Sequence, residues 1–576
     1  MVYLRLFQKF VLWLVFSSVL VGCQAKVPTA PVEQGQNGMV VSASPLASDA
    51  GVAILKQGGN AVDAAVATTL AISVVEPFSA GIGGGGFLLF GSQNSVEGYD
   101  IQALDFRERA PKAASQDMYL DQEGEPDTRA SLDGHRAAGV PGTIAGLYTI
   151  HRYYGQLPWE TLVQPAIELA EKGFPVGDYF VRSVGRRLPV MGQNPAAREI
   201  FTNDGVLYRP GETLVQADLA KTLKQIAQDP ESFYRGEIAT AIVKDMQQNG
   251  GLITLEDLNA YTPIWRDPLC GEFRQAQVCS MPPPSSGGVQ LIQMLNMIGE
   301  TDLQAQCHNS ADTLHLLAEI MRIAYADRAE YLGDPDFVPV PVESLTSEGY
   351  AGERRQEIDP ERARPSSTVN PGTAEQIQRY VWESPETSHL TVVDQDRNVV
   401  SLTFTVNTGF GAGVVAAGTG ILLNNEMDDF SIAPGVPNAF GLVGGEANSI
   451  APLKTPLSSM TPTVVTQEGE LLMATGSPGG STIITTALQV VLNVLEFDLD
   501  VGQAVSVPRI HHQWLPDRLI VERGRLDSRV INDLKQRGHQ ITPWQGWGNV
   551  NAIVVSPSGE LTGAADPRRE GTASGY

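Results

Sequence analysis

The sequence predicts an α+β fold on three observations. Two short apolar runs, Leu390–Val393 and Val399–Val406, flank Asp394-Gln-Asp-Arg-Asn398, which has the composition of a hairpin turn. Two apolar segments with helix start and stop signals follow Ser44, ahead of a glycine run and the strand-like Phe87–Phe90. Hydrophobic residues make up 42% of the chain and charged ones 18%, enough for a sizeable core, with 58 Gly and 37 Pro to supply turns. By length alone, 576 residues allow about three or four domains, or equally two large interleaved segments. A formal charge of -25 and a pI near 4.7, with no basic cluster to reverse them locally, argue against nucleic acid as a partner.

At the N-terminus, Arg5 and Lys9 precede an apolar run from Phe10 to Val21 and then Gly22 and Cys23. A run this short, followed by small residues, reads as a secretory signal rather than a spanning helix. Leu20-Val21-Gly22-Cys23 resembles a bacterial lipobox. In that reading residues 1–22 are removed, Cys23 is lipidated, residues 23–38 are a polar tether, and the protein is periplasmic and membrane-anchored. An ordinary signal cut near Ala25 is the alternative.

Further along, Ser44 and Pro45 stand where an N-cap and first helical residue belong, Gly58 closes that helix, and Asn60 caps a second with Asp63 in its first turn. Gly81 to Gly86 satisfies GxGxxG in form, but a helix precedes it and a strand follows, the reverse of a dinucleotide site. It reads as a close-packed turn. Arg107 ends the strand-like run in ALDFRERAP. Cys270 and Cys279 flank a hairpin turning at Arg274-Gln275 that would set them opposite each other, which leaves a disulfide open. Cys307 is then a lone thiol, and with His308 alone it makes no zinc site. Leu314, Leu317, Met321, Ala324 and Tyr325 form a helical core stripe, with His315 expected on the helix surface. From Gly349 to Glu386 the composition shifts to charge, Pro and Ser, as in a mobile connector.

Thr387 heads the hairpin. A threonine hydroxyl needs a neighbouring base, and a chain that cuts itself before the threonine supplies one in the new α-amine, which titrates near pH 7.7–8.0. Thr403, Thr405 and Asn407 alternate along the second strand and face one way. Asn424-Asn-Glu426-Met-Asp-Asp429-Phe follows, then Pro456-Leu-Ser458-Ser459-Met460 and Gly476-Ser-Pro-Gly479-Gly480-Ser. No G-x-S-x-G elbow occurs. His511 and His512, adjacent on a strand, face opposite ways without a third metal ligand.

These residues resemble the γ-glutamyltranspeptidase family of N-terminal-nucleophile hydrolases. Besides Thr387, the resemblance includes the glycine run at 81–86, Arg107, Gly139-Val-Pro-Gly142, the helical run Trp159–Lys172, Pro282 to Gly288, Glu426 and Asp429, both serine–glycine stretches and Asp566 to Tyr576, and it covers nearly everything after residue 39. It implies a four-layer αββα sandwich, made as one precursor and split before Thr387 into a large subunit, 39–386, and a small subunit, 387–576, that form one catalytic unit. It implies that Thr387, supported by Thr405, takes the γ-glutamyl group of glutathione or another γ-glutamyl compound. The oxyanion would rest on the N–H groups of Gly479 and Gly480, which is worth roughly 2.7–4 kcal/mol per donor. Water, an amino acid or a dipeptide then accepts the glutamyl group.

Arg107, Ser458 and Ser459 are implied for the donor's α-carboxylate, and Asn407, Glu426 and Asp429 for its ammonium; no cofactor or metal is required. Pro434–Asn448 resembles the lid loop of some members, which carry a tyrosine where this chain has Phe440, so the lid's hydroxyl contact is missing. Two other readings stand beside this one. A cephalosporin or glutaryl acylase of the same superfamily shares the nucleophile but has no ammonium to hold, and the intact Glu426/Asp429 pair speaks against it. An inactive lipid-anchored binding protein is opposed by Thr387 together with Gly479-Gly480.

Overall fold

The computed structural model describes residues 29–94, 98–370, 386–433 and 435–576. The signal segment, Cys23 and residues 371–385 of the connector lie outside it. The predicted hairpin is present: Ser388–Val393 pairs antiparallel with Val399–Thr405, Val393 opposite Val399. Asp394 fixes the turn by accepting the N–H groups of Asp396 and Asn398 at 2.9 and 3.0 Å, and Arg397 takes the positive φ the turn requires. Every residue of both strands is buried, which explains near-continuous apolar runs rather than clean alternation.

The hairpin sits in the middle of a seven-stranded sheet, in the order Thr572–Gly575, Met39–Ser42, Ser388–Val393, Val399–Thr405, Gly85–Asn94, Gly98–Phe106, Ile264–Arg266. A second seven-stranded sheet runs Val32–Gly35, Leu561–Ala565, Asn551–Val555, Glu470–Gly476, Thr463–Gln467, Ala276–Ser280, Leu269–Phe273. Side chains from both sheets, among them Met39, Phe87, Leu89, Val393, Val464, Ala474 and Ile553, form one apolar layer. The outer face of the first sheet packs on helices that include Pro45–Lys56, Ala61–Val75 and Trp159–Lys172. The second packs on Gly287–Ile298, Ala311–Tyr331 and Thr482–Leu495. This is a four-layer αββα sandwich. Both sheets draw strands from either side of residue 387, so the two segments make one core.

Local chemistry matches the sequence closely around the first two helices. Asn60 and Asp63 form a reciprocal capping box and Gly58 ends the preceding helix at φ +91°. Ser44 occupies the N-cap without a side-chain bond. The glycine run passes so near its neighbours that a Cβ on Gly84 would lie 1.8 Å from the Thr405 carbonyl oxygen, and one on Gly83 2.1 Å from that of Leu422. It is a packing turn under the hairpin. Cys270 and Cys279 are disulfide-bonded across the turn at Arg274 and Gln275, both at positive φ.

Three expectations need correction. Cys307 is half-buried and is not free. His315 is buried: its Nε2 lies 2.7 Å from the Asp359 carbonyl oxygen, which can only accept, so Nδ1 accepts from His539 Nε2 at 2.8 Å. The helix carrying it is covered on both sides, and periodicity reports only the more apolar one. Glu319 lies near the two histidines, but Arg322 pairs with it and Arg364 stands 3.8 Å from its other oxygen, so the donors are already engaged. Residues 349–370 are not a loose connector, since a helix runs to Arg355 and Ser366–Thr368 forms a turn of 3-10 helix bonded to Arg322, Asp517 and Trp514. Among the described residues no helix is long and apolar enough to cross a membrane.

Candidate active site

Thr387 lies at the mouth of the hairpin, one residue before its first strand. Its Oγ is 2.8 Å from the Glu386 carbonyl oxygen and 3.2 Å from Thr405 Oγ, which itself donates to the same carbonyl at 3.0 Å. Thr405 Oγ also accepts the Asn407 N–H at 2.8 Å. Two hydroxyls therefore converge on the peptide bond before Thr387. Asn407 is not on the strand, which ends at Thr405; a positive φ of 78° turns it, and its Nδ2 donates to the Asn425 carbonyl at 2.9 Å. Thr403 shares the face of Thr405 but bonds His389 and does not line the site. His389 is committed to Thr403 and Thr391, and burial lowers its pKa to about 3, so it stays neutral.

Beside Thr387, a small cavity is lined by Thr405, Asn407, Arg107, Glu426, Asp429, Ser458, Ser459, Gly480 and Phe440, among others. Nearly all of the expected site residues are thus gathered from five separate stretches. Its volume of about 20 Å³ is room for about one water, well short of a glutamate. On its wall, Arg107 Nη1 pairs with Glu426 and Nη2 with Asp429 at 2.5 Å. Burial works against the charged guanidinium, but Glu426 and Asp429 outweigh it and raise its pKa. Burial likewise lifts the carboxyls of Glu426 and Asp429, against the opposing pull of Arg107. Asn438 donates to the second Asp429 oxygen at 3.2 Å. Ser458 Oγ accepts the Met460 N–H, and Ser459 Oγ accepts from Arg328 Nη2 at 3.4 Å.

Gly479 and Gly480 adopt φ of 144° and 54° just before the helix Thr482–Leu495. A Cβ on Gly479 would lie 2.5 Å from Thr482 Oγ. Gly480 lines the cavity, and the amides of the pair precede a helix N-terminus, where donors and dipole favour an anion.

Two participants escaped sequence reading. Glu108 is fully buried behind Arg107 at 3.8 Å, and burial pushes its carboxyl up to about 7. Arg328, on the helix Ala311–Tyr331, reaches Ser459, and burial lowers its pKa to about 10. Glu108 sits next to Arg107 in sequence, and a charge pair ending an apolar strand was the available signal. Arg328 gave none, because it occupies an ordinary last-turn position on a core helix.

A family model described as Gamma-glutamyltranspeptidase matches residues 47–576. The chain is 47% identical to the "Glutathione hydrolase proenzyme" of Escherichia coli (strain K12), over 94% of each sequence. Among solved structures it is similar to a cephalosporin acylase from Bacillus halodurans, with 30% identity and a TM-score of 0.83 over 96% of this chain and 98% of that one. It is also similar to a Helicobacter pylori gamma-glutamyltranspeptidase chain, 40% identical with a TM-score of 0.56, covering 62% of this chain and 99% of that one.

Proposed function

The chain belongs to the gamma-glutamyltranspeptidase family, and from that premise we propose that Thr387 cleaves γ-glutamyl amides after the chain has split itself before that residue. The enzyme breaks the γ-glutamyl amide bond of glutathione and related compounds and passes the glutamyl group to water, amino acids or dipeptides. The observation that carries the assignment is a cation and two acids facing each other in one pocket beside Thr387 Oγ. A donor glutamate is a zwitterion at its α-carbon, and Arg107 opposite Glu426 and Asp429 is the complement of that charge pattern. In the empty pocket these groups neutralise one another. A bound donor exchanges those pairs for its own, its carboxylate on Arg107, Ser458 and Ser459 and its ammonium on Asn407, Glu426 and Asp429. Burial makes each of those pairs strong and its loss costly.

In the split chain the α-amine of Thr387 takes the proton of its own hydroxyl while Oγ attacks the γ-carbonyl. Thr405 orients Oγ, and the N–H groups of Gly479 and Gly480 receive the oxyanion. The amine leaves, a glutamyl ester remains on Thr387, and an acceptor amine or water releases it. The large subunit is then residues 39–386 and the small subunit 387–576. None of the reacting groups in this scheme calls on a metal or cofactor.

Similarity to a cephalosporin acylase keeps an acylase activity as the second reading. It has no ammonium to bind, so γ-glutamyl and glutaryl anilides compared on the same enzyme separate the two. A γ-glutamyl preference that Asp429→Ala abolishes supports the first. The lipobox-like Leu20 to Cys23 further supports export and a periplasmic lipid anchor on Cys23. Cys23→Ser is then expected to move the protein from the membrane to the soluble fraction, and an unchanged distribution rejects the anchor.

A further inference from the structure

The residue before the nucleophile is gripped by its side chain. Glu386 is buried, and its carboxylate accepts from Tyr179 Oη at 2.6 Å and from Arg569 Nη1 at 2.8 Å. The Arg569 guanidinium also lies over the Tyr179 ring, 4.5 Å from its centroid, an arrangement that fixes the fork before the acid arrives. Three remote segments meet here: the helix Asp178–Met191, the turn between the strands Leu561–Ala565 and Thr572–Gly575, and the entry to Ser388–Val393. A second acid, Glu76, faces the same cation, with its Oε2 3.4 Å from Ser388 Oγ. Glu570 adds further negative charge nearby. Arg569 thus feels both Glu386 and Glu76, and these acids, with Tyr179, outweigh its burial and keep it charged. None of Tyr179, Glu386 and Arg569 lines the donor cavity.

We propose that Arg569 and Tyr179 are positioning residues for self-cleavage, holding Glu386 so that its carbonyl carbon stays within reach of Thr387 Oγ. This rests on the reading of Thr387 as the self-processing nucleophile. In the step itself, Thr387 Oγ bonds to the Glu386 carbonyl carbon, the C–N bond between the two residues breaks, and the hydroxyl proton ends on the freed nitrogen. Water then cleaves the ester, restoring the Thr387 hydroxyl and leaving a carboxylate on Glu386. The geometry gives this step a direction. Before cleavage Arg569 meets one charge on Glu386; afterwards Glu386 carries two, with Glu76 still opposite. The new carboxylate stands among the acids Glu570 and Glu76, and repulsion between like charges there favours departure of the new chain end from Thr387.

The test follows the full-length chain by pulse labelling and denaturing electrophoresis. Misplacing reacting groups by an ångström can cost on the order of 100-fold in rate, and Arg569→Ala is expected to slow splitting by about that factor. Arg569→Lys, which keeps the charge and loses the fork, should fall between. Glu386→Gln keeps an acceptor for Tyr179 and loses only the charge; it is expected to slow splitting roughly 10-fold, as removal of a charged hydrogen bond does. Because both changes break the same contact, the double variant should be no slower than Arg569→Ala alone. Wild-type rates in both single variants, or fully additive slowing in the double, overturn the proposal. If Arg569→Ala does not fold, Glu386→Gln and Tyr179→Phe decide in its place, and wild-type rates in both overturn it. Thr387→Ala is run alongside: if that chain still splits, the reading of Thr387 has failed, whatever the anchor variants do.

Discussion

Two arginines flank the chemistry, and they differ in what happens to their partners. Arg107 meets Glu426 and Asp429 with Glu108 behind; Arg569 meets Glu386 with Glu76 beside it. Each cluster gathers more carboxylates than its arginine balances, and in each, burial lifts one carboxyl to about 7, Glu108 in the first and Glu76 in the second. In the donor pocket every partner is part of the permanent fold, and on the proposed function a zwitterion replaces the internal ion pairs of Arg107 with Glu426 and Asp429. In the anchor one partner precedes the bond that is to be cut, and cutting it changes the charge count. On the two proposals, the same chemistry would serve as a reusable clamp in one place and as a single-use latch in the other.

The comparison breaks first at the nucleophile, where the expected effect is total. Thr387→Ala should remain one chain of the precursor's size on denaturing gels and release no product from a γ-glutamyl anilide. A split alanine chain would detach both clusters from the mechanism. Next in size is the clamp. Arg107→Ala leaves the donor carboxylate with two hydroxyls, and loss of a charged hydrogen bond of about 1.5–3 kcal/mol corresponds to a roughly 10- to 150-fold drop in kcat/KM. Asp429→Ala should do the same for γ-glutamyl anilide and much less for glutaryl anilide; steady-state rates on both donors check this. Equal loss on both would make Asp429 a support of the fold.

The shared excess of carboxylate sharpens the comparison through pH. Glu76 and Glu108 have folded-state values raised to about 7 from 4.5. Between those values the folded chain binds more protons than the unfolded one, so stability falls as pH rises through that window and levels off above it. In the uncut Thr387→Ala background, Glu76→Gln and Glu108→Gln should each flatten the fall, by an amount of order 1–3 kcal/mol. Thermal unfolding from pH 4.5 to 8 measures it, and an unchanged slope would mean neither carboxyl is held neutral. The smallest expected effect is at Ser459. Removing one neutral hydroxyl, worth about 0.5–1.5 kcal/mol, should lower kcat/KM roughly 2- to 12-fold, visible as a modest rise in KM.

How much of this was legible in the sequence follows from which interactions are local. The capping box at Asn60, the turn at Asp394 to Asn398 and the hairpin at Cys270 and Cys279 are set by neighbours along the chain, and each is where the sequence put it. Arg107, Glu426, Asp429 and the paired serines and glycines were singled out through the family resemblance that their short stretches carry, and the structure gathers most of them with Thr387 around one cavity. What failed were contacts made across layers. His315 sits on a helix whose second face is covered by Asp359 and His539, residues no periodicity connects to it. Asn407 leaves its strand through a positive φ that alternation cannot anticipate. Arg569 and Tyr179 are nearly four hundred residues apart and meet only because both sheets take strands from both sides of Thr387.

The central claim is that the γ-glutamyl group passes through an ester on Thr387. The direct measurement is rapid quenching of the processed enzyme during turnover of a γ-glutamyl anilide, followed by intact mass and peptide mapping of the fragment that begins at Thr387. A gain of one glutamyl residue is expected, confined to that N-terminal peptide and lost on addition of an acceptor dipeptide. Product release with no adduct under conditions that trap esters, or an adduct on any other residue, would contradict it.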